Sequence, residues 1–212
     1  MPDAEQLAAG SLDALVATHR PLLEAALVAI RDRGYWSAFA ESPSTKIWGD
    51  DAPAAGREAF ESLLGKDFPV SVPGAAGTVA PERSPYGIAL DVRYPHLLAD
   101  GVPALLGAAR DAMPAWRDAG PLRRAAVGIE ILQRINARNF EFAHAVMHTT
   151  GQGFVMAFQA GGAHALDRAL EAIAYSYAAM DSVPALAAWE KPRGRGEPQR
   201  LPKAFTVVPR GV

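Results

Sequence analysis

The amino-acid sequence predicts a mainly α protein with a few short β-strands, an α+β class, on three observations. From Ala104 to Met180 apolar residues recur at helical spacing in a relay of segments punctuated by glycine and proline. Around Ile88 the period falls to two, the spacing of a half-exposed strand. Half of the 212 residues are hydrophobic and 21% are charged, which suffices for one or two sizeable cores.

The first helix carries Leu12, Leu15, Val16, Leu22, Leu23, Ala26, Leu27 and Ile30 on one side, with Ser11 as its expected cap and Gly34 as its stop. Pro21 inside that pattern predicts a kink, or two helices meeting near Thr18 to Arg20. His19 falls on the apolar face, where a lone histidine reads as a packed, hydrogen-bonded residue and not as a ligand. Tyr35 to Gly49 holds four aromatic residues and a Ser-Pro-Ser turn and reads as an ordered arm. A base-stacking platform would need a basic groove beside those rings, and Lys46 stands alone. Ala54 to Leu64 reads as a short helix ended by Gly65, and Lys66 to Gly77 as connection.

Ile88, Leu90 and Val92 alternate with Ala89, Asp91 and Arg93, so a strand is expected there, after a turn at Pro85 and Gly87 and paired with Thr78 to Ala80. Pro103 suits the first turn of a helix whose Leu105, Ala108, Ala109, Ala112 and Trp116 point to a core, bent or interrupted at Met113-Pro114. Gly120-Pro121 opens the next, Leu122 to roughly Arg138. It is apolar on two sides, with a narrow polar strip of Arg123, Glu130 and Arg134, and so belongs between neighbours. Asn139 is the expected cap of a helix to Thr150 that turns Phe140, Ala143, Val146 and Met147 inward and ends at Gly151. After a break at Gly161-Gly162, Leu166, Ala169, Leu170, Ile173, Tyr177 and Met180 mark the inner face of a long helix ended by Pro184, with Asp167, Arg168, Glu171 and Tyr175 opposite. Trp189 to Leu201 reads as an exposed linker or hairpin tip, and Ala204 to Val208 as a short β-rich segment.

A formal charge of −2, interspersed along the chain, gives no overall attraction to nucleic acid or an anionic membrane, and neither partner is expected. No apolar run reaches the roughly eighteen residues of a membrane span. The start MPDAEQLAAG lacks the basic residues and apolar stretch of a signal peptide, so a cytoplasmic location is expected. The chain has no cysteine, which removes disulfides, thiolate metal sites and a thiol nucleophile.

Glu141, His144 and His148 share about a 60° arc of one helix and could face a divalent cation. The zinc-protease word needs a Glu directly after its first His, and the Glu-x-x-His word of ferritin-like sites occurs once where two are needed. A solvated or interface-facing polar strip is the better account, and no metal is expected. No glycine-rich phosphate loop is spelled out, and the GRG at Gly194 to Gly196 follows no strand and opens no helix. No serine sits in a Gly-x-Ser-x-Gly word. By motif the chain carries no catalytic, cofactor-binding or metal-binding residue.

Several longer words resemble a known family. P-x-G-x-x-x-x-V from Pro85, AARDAMPAW from Ala108, RRAAVGIEILQRINARNFEFAHAVMHTTGQ from Arg123 and the closing PRGV from Pro209 resemble the helical N-terminal part of the aldehyde dehydrogenase superfamily. YWSAFAESPS from Tyr35, FAHAVMHTTGQ from Phe142, MAFQAGG from Met156 and FTVVPRGV from Phe205 are similar to the PaaN-type phenylacetic acid degradation proteins in particular. Met113 stands where an aromatic residue is usual and Gln152 where a lysine is usual. The resemblance implies an N-terminal helical extension over 1–77, the helical part of the cofactor-binding domain over 78–184, and an oligomerisation-type hairpin with the start of the first sheet strand over 185–212. The fold would then end where the dinucleotide-binding sheet begins.

It further implies an NAD- or NADP-dependent enzyme of aromatic catabolism that oxidises a CoA-linked semialdehyde after ring opening. The family's attacking cysteine, deacylating glutamate and oxyanion-holding asparagine all lie C-terminal to Val212, so none is numbered here and no cofactor is expected on this chain alone. A truncated product or an incomplete gene model is therefore expected, assembling as a homo-oligomer through its hairpin. Alone, that hairpin would expose Phe205, Val207 and Val208, and without the sheet Leu166, Leu170, Ile173 and Tyr177 should be only partly covered. The competing expectation is a free-standing helical oligomerisation or interaction module without enzymatic activity.

Overall fold

The computed structural model describes residues 4–79 and 83–209, with side chains from residue 11 onward. Ala80, the end of the expected partner strand, and Arg210 to Val212 of the PRGV word lie outside the described residues.

Three long helices build the main core: α1 (Ala4–Asp32), α5 (Gly120–Ala137) and α8 (His164–Met180), each packed on the other two. Leu23 and Ala26 of α1, Ile129 of α5 and Leu166 and Leu170 of α8 meet there, joined by Phe39 from the segment after α1. Each of the leucine, isoleucine and phenylalanine side chains contributes about 1.5–3 kcal/mol by leaving water. α5 is the central element, as its two apolar sides require, touching α1 and α8 and also α6 (Asn139–Thr150). Leu166 and Leu170 are fully buried, against the expectation of partial cover, because α1 lies over them; Ile173 and Tyr177 stay partly exposed.

α1 begins well before Ser11, which is therefore inside the helix and not its cap; the preceding AEQLAAG is itself rich in good helix formers. The helix passes Pro21 without a break, its packing on two neighbours outweighing one lost hydrogen bond. Its stop is Arg33, not Gly34. Arg33 adopts φ 55 and its N–H still reaches the Ala29 carbonyl at 2.9 Å.

A second layer pairs α3 (Ala52–Glu61) with α6. They cross so closely that a Cβ on Gly56 would lie 2.2 Å from Phe140 Cβ. One helical turn, α2 (Thr45–Trp48), is capped by Ser44 and sets Trp48 edge-on to Phe140 and Phe158, with ring centroids 5.7 Å away in each case. After α7 (Phe154–Phe158) comes a π-helical turn, Gln159–Ala163, where Gly162 adopts φ −117 and ψ −111. A Cβ there would meet Asn139 Oδ1 at 1.9 Å. Asn139 is buried against this turn, so it does not cap α6; the residue before the helix is Arg138, which makes no side-chain cap. Gly151 ends α6 in the left-handed conformation, as expected.

The strand expected at 88–92 is absent. Asp91 at φ 48 breaks the alternation, and the segment makes only isolated bridges, at Arg83–Ala89 and Asp67–Arg93. Leu90 and Val92 are nevertheless both buried, packed with Phe60. Strand β1 (Ala75–Val79) pairs antiparallel with β2 (Tyr94–Leu97), a few residues further along than expected. α4 (Val102–Asp118) runs through Pro114, but none of its residues is buried, so Leu105 and Trp116 reach no core. A hairpin of β3 (Leu186–Arg193) and β4 (Gly196–Ala204) follows α8. The sequence 189–201 is thus mostly paired strand, and of Ala204 to Val208, expected to be β-rich, only Ala204 lies in a strand. GRG lies at the hairpin turn, with Gly194 at φ 50.

Candidate functional site

The polar residues that the sequence places on one arc of α6 have different surroundings. Glu141 is drawn to Arg138, whose Nε lies 2.7 Å from its Oε2. His144 is 6% exposed and His148 half-buried, so neither belongs to a solvated strip. Both rings stack on Phe60 of α3, at 6.1 Å and 22° for His144 and 5.1 Å and 4° for His148. Phe154 lies 5.0 Å from the His144 ring, and Tyr86 meets His148 edge-on at 5.7 Å. What the α6 pattern misses is α3: Arg57, Phe60 and Glu61 join Ile88, His144 and His148 around a hollow of about 590 Å³.

Ser84 ties the loop before residue 88 to this pair. Its Oγ shares a 2.8 Å hydrogen bond with His148 Nδ1 and accepts the Tyr86 amide at 3.1 Å. The Tyr86 hydroxyl donates to the carbonyls of Gly151 and Gln152, at 3.1 and 2.8 Å. A Ser–His contact of this length is the geometry of an activated nucleophile, but Ser84 is buried and, among the described residues, no carboxylate hydrogen-bonds the second ring nitrogen of His148. Burial lowers the pKa of both histidines. Arg57 lowers His144 further, while the Glu61 charge pulls both upward. Two neutral rings stacked on Phe60 make a clasp between α3, α6 and the loop. Among the described residues no group of three or more His, Asp and Glu side chains is arranged to hold a metal ion.

Other sequence-flagged polar residues also prove to be joints. His19 Nε2 lies 2.7 Å from Glu130 Oε2, and Glu130 in turn takes Arg134 at 2.7 Å, which with His19 holds its carboxyl below the usual glutamate range. Arg123 forks onto Asp13, bridging α5 to α1. Asp167, expected on the outer face of α8, is buried and accepts Ser37 Oγ at 2.6 Å and the Ala38 amide at 2.9 Å. The hydroxyl and amide that hold it inside come from the arm, and helical periodicity carries no sign of them.

The hairpin stands apart from these cores. Every residue of β3 is exposed, Leu186 to 80%, and beyond β4 Phe205 and Val208 are exposed as well. Lys203 sits 5.6 Å over the Trp189 ring and Arg200 pairs with Glu190 at 2.9 Å, contacts made across the two strands. Among the described residues no helix is long and apolar enough to cross a membrane.

This architecture recurs in a solved structure, that of NAD-dependent aldehyde dehydrogenase from Burkholderia multivorans. The two agree with a TM-score of 0.86 and 52% sequence identity, over 93% of this chain and 35% of that one. The chain carries part of an aldehyde dehydrogenase fold. The likeness supports the aldehyde dehydrogenase superfamily, although no family model and no curated protein matches. The chain spans about a third of the length of that aldehyde dehydrogenase.

The turn from β2 into α4 does not fit the pyrophosphate of a nicotinamide dinucleotide. It holds one glycine, Gly101, beside Asp100, whose carboxylate repels the pyrophosphate that a glycine-rich turn would cradle.

Proposed function

We propose that these 212 residues are the helical part of a longer NAD(P)-dependent aldehyde dehydrogenase of the PaaN type, acting in aromatic catabolism on a CoA-linked semialdehyde. The observation that supports the aldehyde dehydrogenase part of the reading is 52% identity over 93% of the chain to a third of an NAD-dependent aldehyde dehydrogenase, and the PaaN type rests on the sequence words alone. A chain with no cysteine leaves the thiol nucleophile of such chemistry to the remaining part. In this reading 1–77 is an extension, 78–184 scaffolds the cofactor-binding domain, 185–212 pairs with a second subunit, and the enzyme is cytoplasmic.

The test is a comparison of two proteins. The 212-residue chain should neither bind NAD or NADP by calorimetry nor reduce either with an aldehyde, whereas the product of a reading frame continued past Val212 should do both. Micromolar cofactor binding by the short chain, or a longer product without a cysteine and without activity, overturns the proposal. One observation favours the second reading, a free-standing interaction module: Ile129, Phe158 and Leu170 are wholly buried within the chain itself. A natural stop after Val212 would favour that module.

A further inference from the structure

Around the histidine clasp four polar side chains are left unengaged, unlike those at the other joints of the molecule. His19 is closed by Glu130 at 2.7 Å, and Asp167 by Ser37 at 2.6 Å. His144 is equally buried, at 6% exposed, yet among the described residues its ring nitrogens meet no hydrogen-bond partner. His148 is held through Nδ1 by Ser84, and its Nε2 has no partner among the described residues. Arg57 and Glu61 stand one turn apart on α3. At that spacing Glu130 and Arg134 pair at 2.7 Å on α5, whereas Arg57 and Glu61, both exposed, make no ion pair among the described residues.

All four line the hollow of about 590 Å³ whose remaining walls are Phe60, Leu64, Ile88 and Met147. Both its size and its make-up, apolar walls with a few polar groups, are those of a small-molecule site. The polar groups lie close enough to feel one another, since Arg57, His148 and Glu61 all shift the titration of His144. Their formal charges cancel: burial lowers both imidazoles, which are neutral at pH 7, and Arg57 offsets Glu61. A charged ligand is therefore repelled on one side as it is drawn to the other, and gives up its hydration to enter. Ser84 fixes the direction of one bond. Its Oγ already accepts the Tyr86 amide, and a buried hydroxyl needs an acceptor, so Oγ–H donates to His148 Nδ1. His148 then carries its proton on Nε2 and is a donor, as Arg57 is, while Glu61 is an acceptor.

We propose that this hollow binds a small uncharged molecule with an apolar body and one hydroxyl group. A hydroxyl both donates and accepts, so it takes a hydrogen bond from Arg57 or His148 Nε2 and returns one to Glu61 or His144. The body lies against Leu64, Ile88 and Met147. Each group named lies within this chain, so the site stands whether or not the dehydrogenase reading does.

The experiment titrates phenol into the isotope-labelled 212-residue chain and follows its five histidine rings by long-range proton–nitrogen correlation spectroscopy. Before titration His148 should show the Nε2–H tautomer. Phenol and cyclohexanol should shift His144 and His148 saturably and leave His19, His96 and His164 in place. Arg57→Met and Glu61→Gln, both at exposed positions, should each weaken phenol binding about three- to tenfold, as loss of one hydrogen bond does. Ile88→Trp, which fills the hollow and keeps its polar groups, should abolish binding, and a thermal melt of each variant checks folding. The Nδ1–H tautomer at His148, shifts at all five histidines, or no saturable shift overturns the inference. Tighter binding of benzoate or benzylammonium than of phenol assigns the hollow to a charged ligand and overturns it too. Anisole, which accepts but cannot donate, should bind more weakly than phenol; equal binding shows that the polar groups play no part and overturns the hydroxyl ligand.

Discussion

α4 and α5 are neighbours of nearly equal length, each with a proline at its first turn, α4 apolar on one side and α5 on two, and they end in opposite environments. α5 buries Ala125, Ala126, Ile129 and Leu132 between α1 and α8. α4 buries nothing and leaves Val102, Leu105 and Leu106 exposed. Periodicity thus gives the direction in which a helix wants cover, and what supplies the cover is a matter of the rest of the fold. The largest effect expected follows directly. Ile129→Ala should cost about 2–5 kcal/mol of unfolding free energy, whereas Leu106→Ala should stay within about 0.5 kcal/mol. Urea unfolding of the two variants reads the difference, and equal costs would break the comparison.

Asp167 sharpens it from the polar side. Its carboxylate holds the arm by Ser37 Oγ and the Ala38 amide, so Asp167→Ala leaves the Ala38 amide without a partner next to the main core and Ser37 Oγ with only the Phe39 carbonyl at 3.0 Å. A loss of about 1–3 kcal/mol is expected. Trp36, packed against that core, should report the release by a shift of its fluorescence. An Asp167→Ala protein with wild-type stability and emission would mean that the arm is held by Phe39 and Trp36 alone.

The core was legible in the sequence to the extent that one helix face met another. Leu23, Ala26, Leu166 and Leu170 all lie at expected inward positions. Errors fell where a non-local partner decided. Asp167 looks solvent-facing until Ser37 is brought 130 residues to meet it. Asn139 looks like a cap until the π-turn at Gly162 closes over it. The 88–92 alternation describes two buried side chains correctly and the backbone wrongly, because burial of Leu90 and Val92 against Phe60 needs no ladder. At the histidine clasp, α6 alone supplies His144 and His148, while Phe60 and Glu61 come from a helix more than eighty residues earlier.

The exposed end of the molecule offers a test in association and not in stability. Deleting residues 185–212 removes a hairpin whose strands touch no core, so the melting temperature should move little. Self-association should fall, because an open two-stranded edge with Leu186 and Trp189 exposed is a pairing surface. Light scattering at rising concentration compares the two forms. A strictly monomeric full chain would remove the hairpin from any account of assembly.

The smallest effect concerns the clasp, and its sign follows from burial. Free histidine titrates near pH 6.5. Burial puts the folded-state values of His144 and His148 below that, so on acidification the unfolded chain binds protons first. Stability is therefore at its full value above about pH 6.5 and declines as pH falls toward the lower folded-state values. The groups facing the rings set the size of the decline: Arg57 opposes protonation of His144, Glu61 favours it at both, and Ser84 holds His148 Nδ1. Glu130, held low by Arg134 and His19, adds a loss of the same sign only below about pH 4.5, outside this window. The expected outcome is a melting temperature that drops modestly between pH 7 and pH 5 and a visibly flatter profile in the His144→Gln, His148→Gln double variant. Parallel profiles for the two proteins would show that the rings accept protons in place, and that their stacking on Phe60 depends on shape and not on neutrality.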